Sequence, residues 1–213
     1  MKTIALMIGL MMPASILLAQ APDKIPLNPP DKNRGLPVMT ALSLRASVTA
    51  WDTTSLRLQD LSDLLWAANG INRADIGKRT APSAMNAQDI DIYVFMRTAV
   101  YLYQAADHML EMVVKGDFRP LVADRQEDVA NAPVICLLVS DISRFRTGEE
   151  VQRLNWAAID AGTVSQNISL FCASVGIGTR PRATMDQEKI REVLKLKDSQ
   201  HLILNNPVSY KED

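Results

Sequence analysis

The chain has 213 residues, 47% of them hydrophobic and 22% charged, with 23 lysines and arginines against 24 aspartates and glutamates. That length can bury a substantial core as one domain, and a net charge of −1 gives no electrostatic footprint for nucleic acid. Its 2 histidines, His108 and His201, stand in different contexts, and HExxH, CxxC, GxSxG and GxxxxGKS do not occur, which argues against a zinc centre, a histidine-dependent nucleophile and a P-loop.

In chain order, residues 1–21 read as a secretory signal peptide. Lys2 precedes an uncharged run from Ile4 to Leu18, and Ala19 and Ala21 supply small residues for cleavage after either. The run is shorter than the ~20 residues of a spanning helix. No Cys directly follows it and no Arg-Arg pair accompanies it, so a lipid anchor and the twin-arginine route are not indicated. The expectation is export to the periplasm or beyond, with no stable membrane span. Residues 22–41, which begin "PDKIPLNPPDKNRGLP", are expected to form a Pro-rich extended arm. The folded domain is then 42–213.

"LRLQDLSDLLWAANG" places Leu58, Leu61, Leu64, Leu65 and Ala68 on one helical face, with Gly70 where a left-handed cap would sit. "IDIYVFM" reads as a strand, and "VYLYQAADHMLEMVV" as two strands around residues 105–107. Asp117 is placed to cap a helix through "FRPLVADRQEDVA", and "APVICLLVS" is a buried strand. Cys136 and Cys172 both lie in apolar runs. Buried free thiols fit that setting better than a disulfide does, although an oxidising compartment would permit one.

The most informative element runs from Val151 to Val175, where apolar residues recur at three- and four-residue steps. Thr147 and Glu150 have capping-box spacing, and Gly176 ends the run. Such a helix would be ~37 Å long. A shorter helix capped by Asp186 and a closing strand, "HLILNNPVSY", complete the chain. Strands and helices alternate irregularly, which argues for an α+β fold.

Groups that bind and polarise are the chemistry on offer. Arg45 and Ser47 in "LRASVT" suit a phosphate, although an Arg beside a turn Ser is more often simply solvated. In "APSAMNAQ", Pro82 fixes a turn while Ser83 and Asn86 present donors and acceptors; a plain Asx-turn loop would look the same. In "VGIGTRPR", Gly176 and Gly178 allow backbone to approach a ligand beside Arg180 and Arg182, or simply cap the helix. "GIGTRP" is only half of GxGxxG and comes after a helix rather than a strand, so it is no Rossmann site.

Taken in order, "RAS", "LLWAANGINR", "RTAPSAMNAQ", "AGTVSQNISLFCASVGIGT" and "NPVSY" resemble the FMN-dependent nitroreductase family across residues 44–210. The "LLWAANG…RTAPSA" block resembles the branch containing the thiazole/oxazole-forming peptide dehydrogenases. The resemblance implies an antiparallel-rich central sheet flanked by helices. It also implies a homodimer in which the long helix packs against its mate, with FMN sites between the subunits. Arg45 and Ser47 would meet the FMN phosphate and ring edge from one subunit. Pro82, Ser83 and Asn86 would reach the isoalloxazine from the other, and the Gly176–Gly178 backbone would lie near its reactive edge. The family's second cation is replaced by Thr49, the later Gly by Ser209, and only Lys211 remains as a basic residue near the end. Arg182 is the candidate to supply the missing charge.

The function expected from this is an exported FMN-dependent oxidoreductase that passes electrons from a reduced donor, NAD(P)H in the family, to a small organic acceptor. The alternative is a degenerate flavin-binding or interaction protein with the same fold and no turnover. A role in peptide heterocycle formation needs a cytoplasmic substrate, which export opposes.

Overall fold

The structure, a computed structural model, describes residues 21–211; the expected signal peptide lies almost wholly outside that range. The order of elements is β1 (Lys24–Pro26), α1 (Val38–Leu44), α2 (Leu58–Asn69), β2 (Ile71–Arg73), β3 (Lys78–Arg79), β4 (Ile90–Met96), β5 (Ala99–Gln104), β6 (Met109–Lys115), α3 (Arg119–Ala123), β7 (Val134–Asp141), α4 (Glu150–Val175), β8 (Ile177–Thr179), α5 (Gln187–Leu194) and β9 (Gln200–Tyr210). Strands β1-β6-β5-β4-β7-β9-β8 form one 7-stranded sheet, and β2 with β3 forms a separate hairpin. Every pairing between named strands is antiparallel, so the expected α+β class and antiparallel-rich sheet are found.

The apolar runs of the central strands have a simple cause: both faces of the sheet are covered. Cys136 and Leu138 of β7, with Ile92 and Val94 of β4, pack under Leu61, Leu64 and Leu65 of α2 and Val164 and Ile168 of α4. The alternate residues Ile135, Leu137 and Val139, with Tyr93 and Phe95, pack under Val122 of α3 and Ile190 and Leu194 of α5. A strand buried on both sides has no polar face to alternate with. Cys136 and Cys172 are both buried and free, and burial pushes both thiols well above their usual range.

Several local expectations change. The arm over 22–41 is not merely extended: β1 adds to the sheet edge through β6, and α1 begins at Val38. Gly70 is not left-handed (φ −74, ψ 169); the chain turns straight into β2. A Cβ there would lie 2.5 Å from the Trp66 ring, so close approach rather than a positive φ requires glycine. The helix beginning near Asp117 stops at Ala123 because Asp124 turns to φ 52, ψ −126, and a short 3-10 turn over Glu127–Asn131 comes next. Asp117 nevertheless accepts from Arg119 N at 3.2 Å. Glu149 and Gln152, not Thr147 and Glu150, form the capping box of α4. Gly176 closes α4 in the left-handed conformation, φ 77, as expected. No helix among the described residues is long and apolar enough to cross a membrane.

Candidate functional site

The first group of site residues assembles at one edge of the sheet. Arg45 caps α1, its N–H donating to Ala41 O at 2.9 Å. The chain then runs beside β8: Ser47 bridges Thr179 in parallel, and Val48 N donates to Thr179 O at 3.2 Å. Gly178 lies beneath Val48, where an added Cβ would stand 3.1 Å from both Val48 methyl groups, whereas a Cβ on Gly176 would meet nothing within 4 Å. Arg45, Ser47 and Thr49 are exposed, and among the described residues none of the three side chains makes a hydrogen bond or ion pair. The edge therefore presents an uncommitted guanidinium beside hydroxyls and an open glycine backbone. That set suits an anion carried on a flat polar group.

Arg182 does not join it. Its guanidinium is 7% exposed and donates to Gln126 Oε1 at 2.8 Å, Asn205 Oδ1 at 2.9 Å, Ala123 O at 2.9 Å and Val122 O at 3.1 Å. These bonds commit four of its five donors to tying β9 to α3, and burial keeps the group away from a phosphate at the edge. Arg180 lies instead over the Trp51 ring, 5.7 Å from its centroid. On the opposite side of the edge, Tyr210 donates to Asp60 at 2.6 Å. Burial opposes the charge of Asp60, but hydrogen bonds from Arg57, Tyr210 and Arg34 outweigh it and hold the carboxyl down at about 2. This network anchors the end of β9 to the start of α2.

The second group, the loop of Pro82, Ser83 and Asn86, lies against the middle of α4. Ala84 N donates to both carboxylate oxygens of Asp160, at 2.8 and 3.1 Å, and Thr163 Oγ1 donates to Pro82 O at 3.3 Å. Ser83 Oγ accepts from Gln88 N at 2.9 Å, leaving its own hydrogen uncommitted. Met85, Asn86 and Gln88 all have positive φ, 53, 55 and 50. Left-handed conformations at non-glycine residues cost of order 1–3 kcal/mol each and persist where the surroundings over-determine them. Here Arg79 Nε bonds Gln88 Oε1 at 2.9 Å and Arg144 Nη1 bonds Gln88 O at 2.9 Å, completing the brace. Met85 and Asn86 project outward, exposed.

The structure does not bring the two groups together within one protomer. Thr163 beside the loop and Gly176 beside the edge are separated along α4 by roughly 20 Å at the usual helical rise. The bare part of α4 lies on the N-terminal side of the loop: Val151 is 70% and Ile159 64% exposed, and Gly162 has open space beside it; α1 adds Met39 at 75%.

Sequence reasoning missed Asp160, the loop's anchor, and Asp89 behind it. The signal for Asp160 was present: it falls on the stripe of Ala157, Ala161, Val164 and Ile168, where a carboxylate is out of place unless bonded. Asp89 carried no such mark, since it stands before a strand. Among the described residues no group of three or more His, Cys, Asp or Glu could hold a metal ion.

Comparison with known proteins gives the family. The profile described as "Nitroreductase family" matches residues 42–209. A Methanocaldococcus jannaschii protein provisionally named a nitroreductase is 28% identical over 169 residues, covering 75% of this chain and 85% of its own. A provisionally named nitroreductase of Ralstonia eutropha, known from its crystal structure, is 31% identical with a TM-score of 0.84, covering 90% of this chain and 91% of its own. A Staphylococcus epidermidis protein provisionally named an NAD(P)H:FMN oxidoreductase shares the fold at a TM-score of 0.64 and 13% identity, covering 87% and 92%. By fold, by ordered motifs and by this match across most of its length, the chain belongs to the nitroreductase family.

Proposed function

We propose that this protein is an FMN-dependent oxidoreductase whose site is completed by a second copy of the chain. The observation that carries the reading is the split arrangement. An open cationic edge at Arg45 and a braced polar loop at Ser83 stand at different levels of one long helix, and the stretch of that helix on the N-terminal side of the loop, at Val151 and Ile159, is bare. A two-fold mate packed along α4 would bring the loop of one protomer to the edge of the other.

The residues present fit the coenzyme. Arg45 binds the phosphate as a charge-assisted donor, with Ser47 beside it. Thr49 adds a hydroxyl where a second cation would add charge. The free Ser83 hydrogen and the Asn86 amide bond polar atoms on the ring, while Pro82 fixes the turn that presents them. The open backbone at Gly176 allows close approach to the ring edge, whereas Gly178 is buried beneath Val48 and only lets the chain at Val48 pass close by. When bound, FMN supplies hydride acceptance and donation at N5. The chain supplies binding, orientation and access, which is why no general base or nucleophile stands out among these residues.

Residues 1–21 act as an export signal in this proposal, and the mature protein works outside the cytoplasm. NAD(P)H is scarce there, so the donor to test alongside it is a membrane-permeant or extracellular reductant, with nitroaromatics and quinones as acceptors. One observation favours a second reading, a binder without turnover: Arg182 is locked inside the fold and does not replace the cation lost at Thr49. Visible absorption of the purified protein distinguishes the two. A flavin band that is bleached by a reductant and restored by an acceptor supports the enzyme. A colourless protein that takes up no added FMN rejects both, and a band that binds but does not cycle leaves the binder.

A further inference from the structure

We infer that Asp160 and Asp89 form a buried pair sharing one proton, and that this pair positions the Pro82–Asn86 loop, so that the loop's hold on a ring-shaped ligand weakens when the second carboxyl ionises. Its link to the flavin rests on the proposed function; the pair itself does not.

The geometry is direct. Asp89 is fully buried. Ser140 Oγ donates to its Oδ2, while Oδ1 has no partner among donors in the structure. Ala84 and Ala87, the latter two residues before Asp89, pack with Ala157, one turn before Asp160, which sets the Asp160 carboxyl beside Asp89, and it is itself 4% exposed. Asp160 already accepts the Ala84 N–H through both oxygens. Two adjacent carboxyl groups shielded from water cannot both stay ionised at low cost, and a proton between them supplies the missing bond.

The cations nearby are bonded to other groups and relieve the pair only in part, Arg144 through its charge alone. Arg144, on the turn after β7, bonds Asp91 Oδ1 and the Gln88 carbonyl at 2.9 Å each and lies 3.9 Å from Asp141. Arg79 is spent on Gln88 and on the Asn69 carbonyl. His201 of β9, the cross-strand partner of Ser140, has its Nε2 buried without a bond and is the remaining titratable group on that side. Burial, and then the Asp160 carboxylate, push Asp89 up to about 7, against the Ser140 hydroxyl, which pulls the other way. A carboxyl raised in the folded state contributes stability that is complete below the ordinary carboxylate range and is lost as pH rises toward 7. Above that, two negative charges face each other behind Ala84. Asp160, the member bonded to the loop, must then shift or release it.

The test tracks the aspartate side-chain carboxyl carbons and the Ala84 amide by NMR in the full-length mature protein against pH, with FMN affinity measured in parallel. In the wild type Asp89 should titrate near 7, with the protection factor of the Ala84 amide, its exchange corrected for the intrinsic rise with pH, falling through the same midpoint. The protein's FMN affinity should fall by about tenfold across that step, equivalent to one unit of difference in pKa between free and bound protein. In Asp89→Asn the amide can donate to Asp160 and accept from Ser140, imitating the protonated pair. That variant should lose the titration and hold FMN independently of pH. Asp89 titrating in the ordinary carboxylate range, or an Ala84 protection factor that does not change through that midpoint, would overturn the inference, and the wild-type titration alone decides this if the variant does not fold. If the carboxyl and amide signals behave as described but no FMN binds at any pH, the pair stands and the flavin reading falls.

Discussion

The edge at residues 45–49 and the loop at residues 82–88 treat their polar groups in opposite ways. Along the edge, Arg45, Ser47 and Thr49 are exposed and uncommitted, and their backbone is fixed by a single bridge to β8. In the loop, most backbone groups are bonded to α4, to Arg144 or within the loop, and three residues are held in a costly conformation. A phosphate tolerates angular slack, because a guanidinium fork and a mobile stem can follow it. A flat ring approached by a reactant needs its flanking groups fixed beforehand. The contrast places ring recognition on the rigid segment and charge recognition on the adaptable one.

The two arginines put this contrast under the most strain. Arg182→Ala removes a buried charged donor from four acceptors and should destabilise the fold by about 3 kcal/mol, measured by denaturant unfolding. It should leave the FMN affinity of the folded protein unchanged. If affinity falls and stability does not, Arg182 belongs to the phosphate site after all. Next in size, Ile159→Arg puts a cation on the bare face of α4. It should weaken self-association by about 2–4 kcal/mol, the range of a central interface residue, with FMN lost in parallel. Dimerisation that survives this change unaltered would separate the helix face from the interface. Arg45→Ala should reduce FMN affinity by about 1.5–3 kcal/mol with no change in stability; an unaltered dissociation constant removes Arg45 from phosphate binding. The smallest effect is a gain. Thr49→Lys restores an exposed cation and should tighten FMN by up to ~1 kcal/mol, diminishing with added salt. A salt-independent change would point to a cause other than charge.

How much could be read beforehand depended on whether a residue's environment was local. The 3.6-residue period that marks α4 and the unbroken apolar run of β7 are local, and both elements appear where expected. The five ordered motifs gave the family. What escaped was set by partners distant in sequence. Gly70 is a local exception, assigned to the wrong conformation because glycine is required there by the Trp66 ring, which would lie 2.5 Å from a Cβ on the observed backbone. Strand β8 is only three residues long and forms because β9 is there to pair with it. Arg182 resembled a solvent cation, yet its backbone pairs with Asn205, and that register turns its side chain inward. Asp89 meets Asp160 across 71 residues of sequence (160 − 89), and no spacing rule relates them. The arm looked unstructured because its apolar residues are few, but Leu27 is buried and β1 adds to an edge that would otherwise stay open.

The central claim is that a flavin sits between two copies of this chain. Sedimentation velocity of the purified protein with added FMN, monitored at both the protein and flavin absorption bands, tests it directly. The flavin signal is expected to move with the protein at the mass of a dimer. Protein sedimenting as a single copy, with FMN left behind at the rate of the free coenzyme, would contradict it.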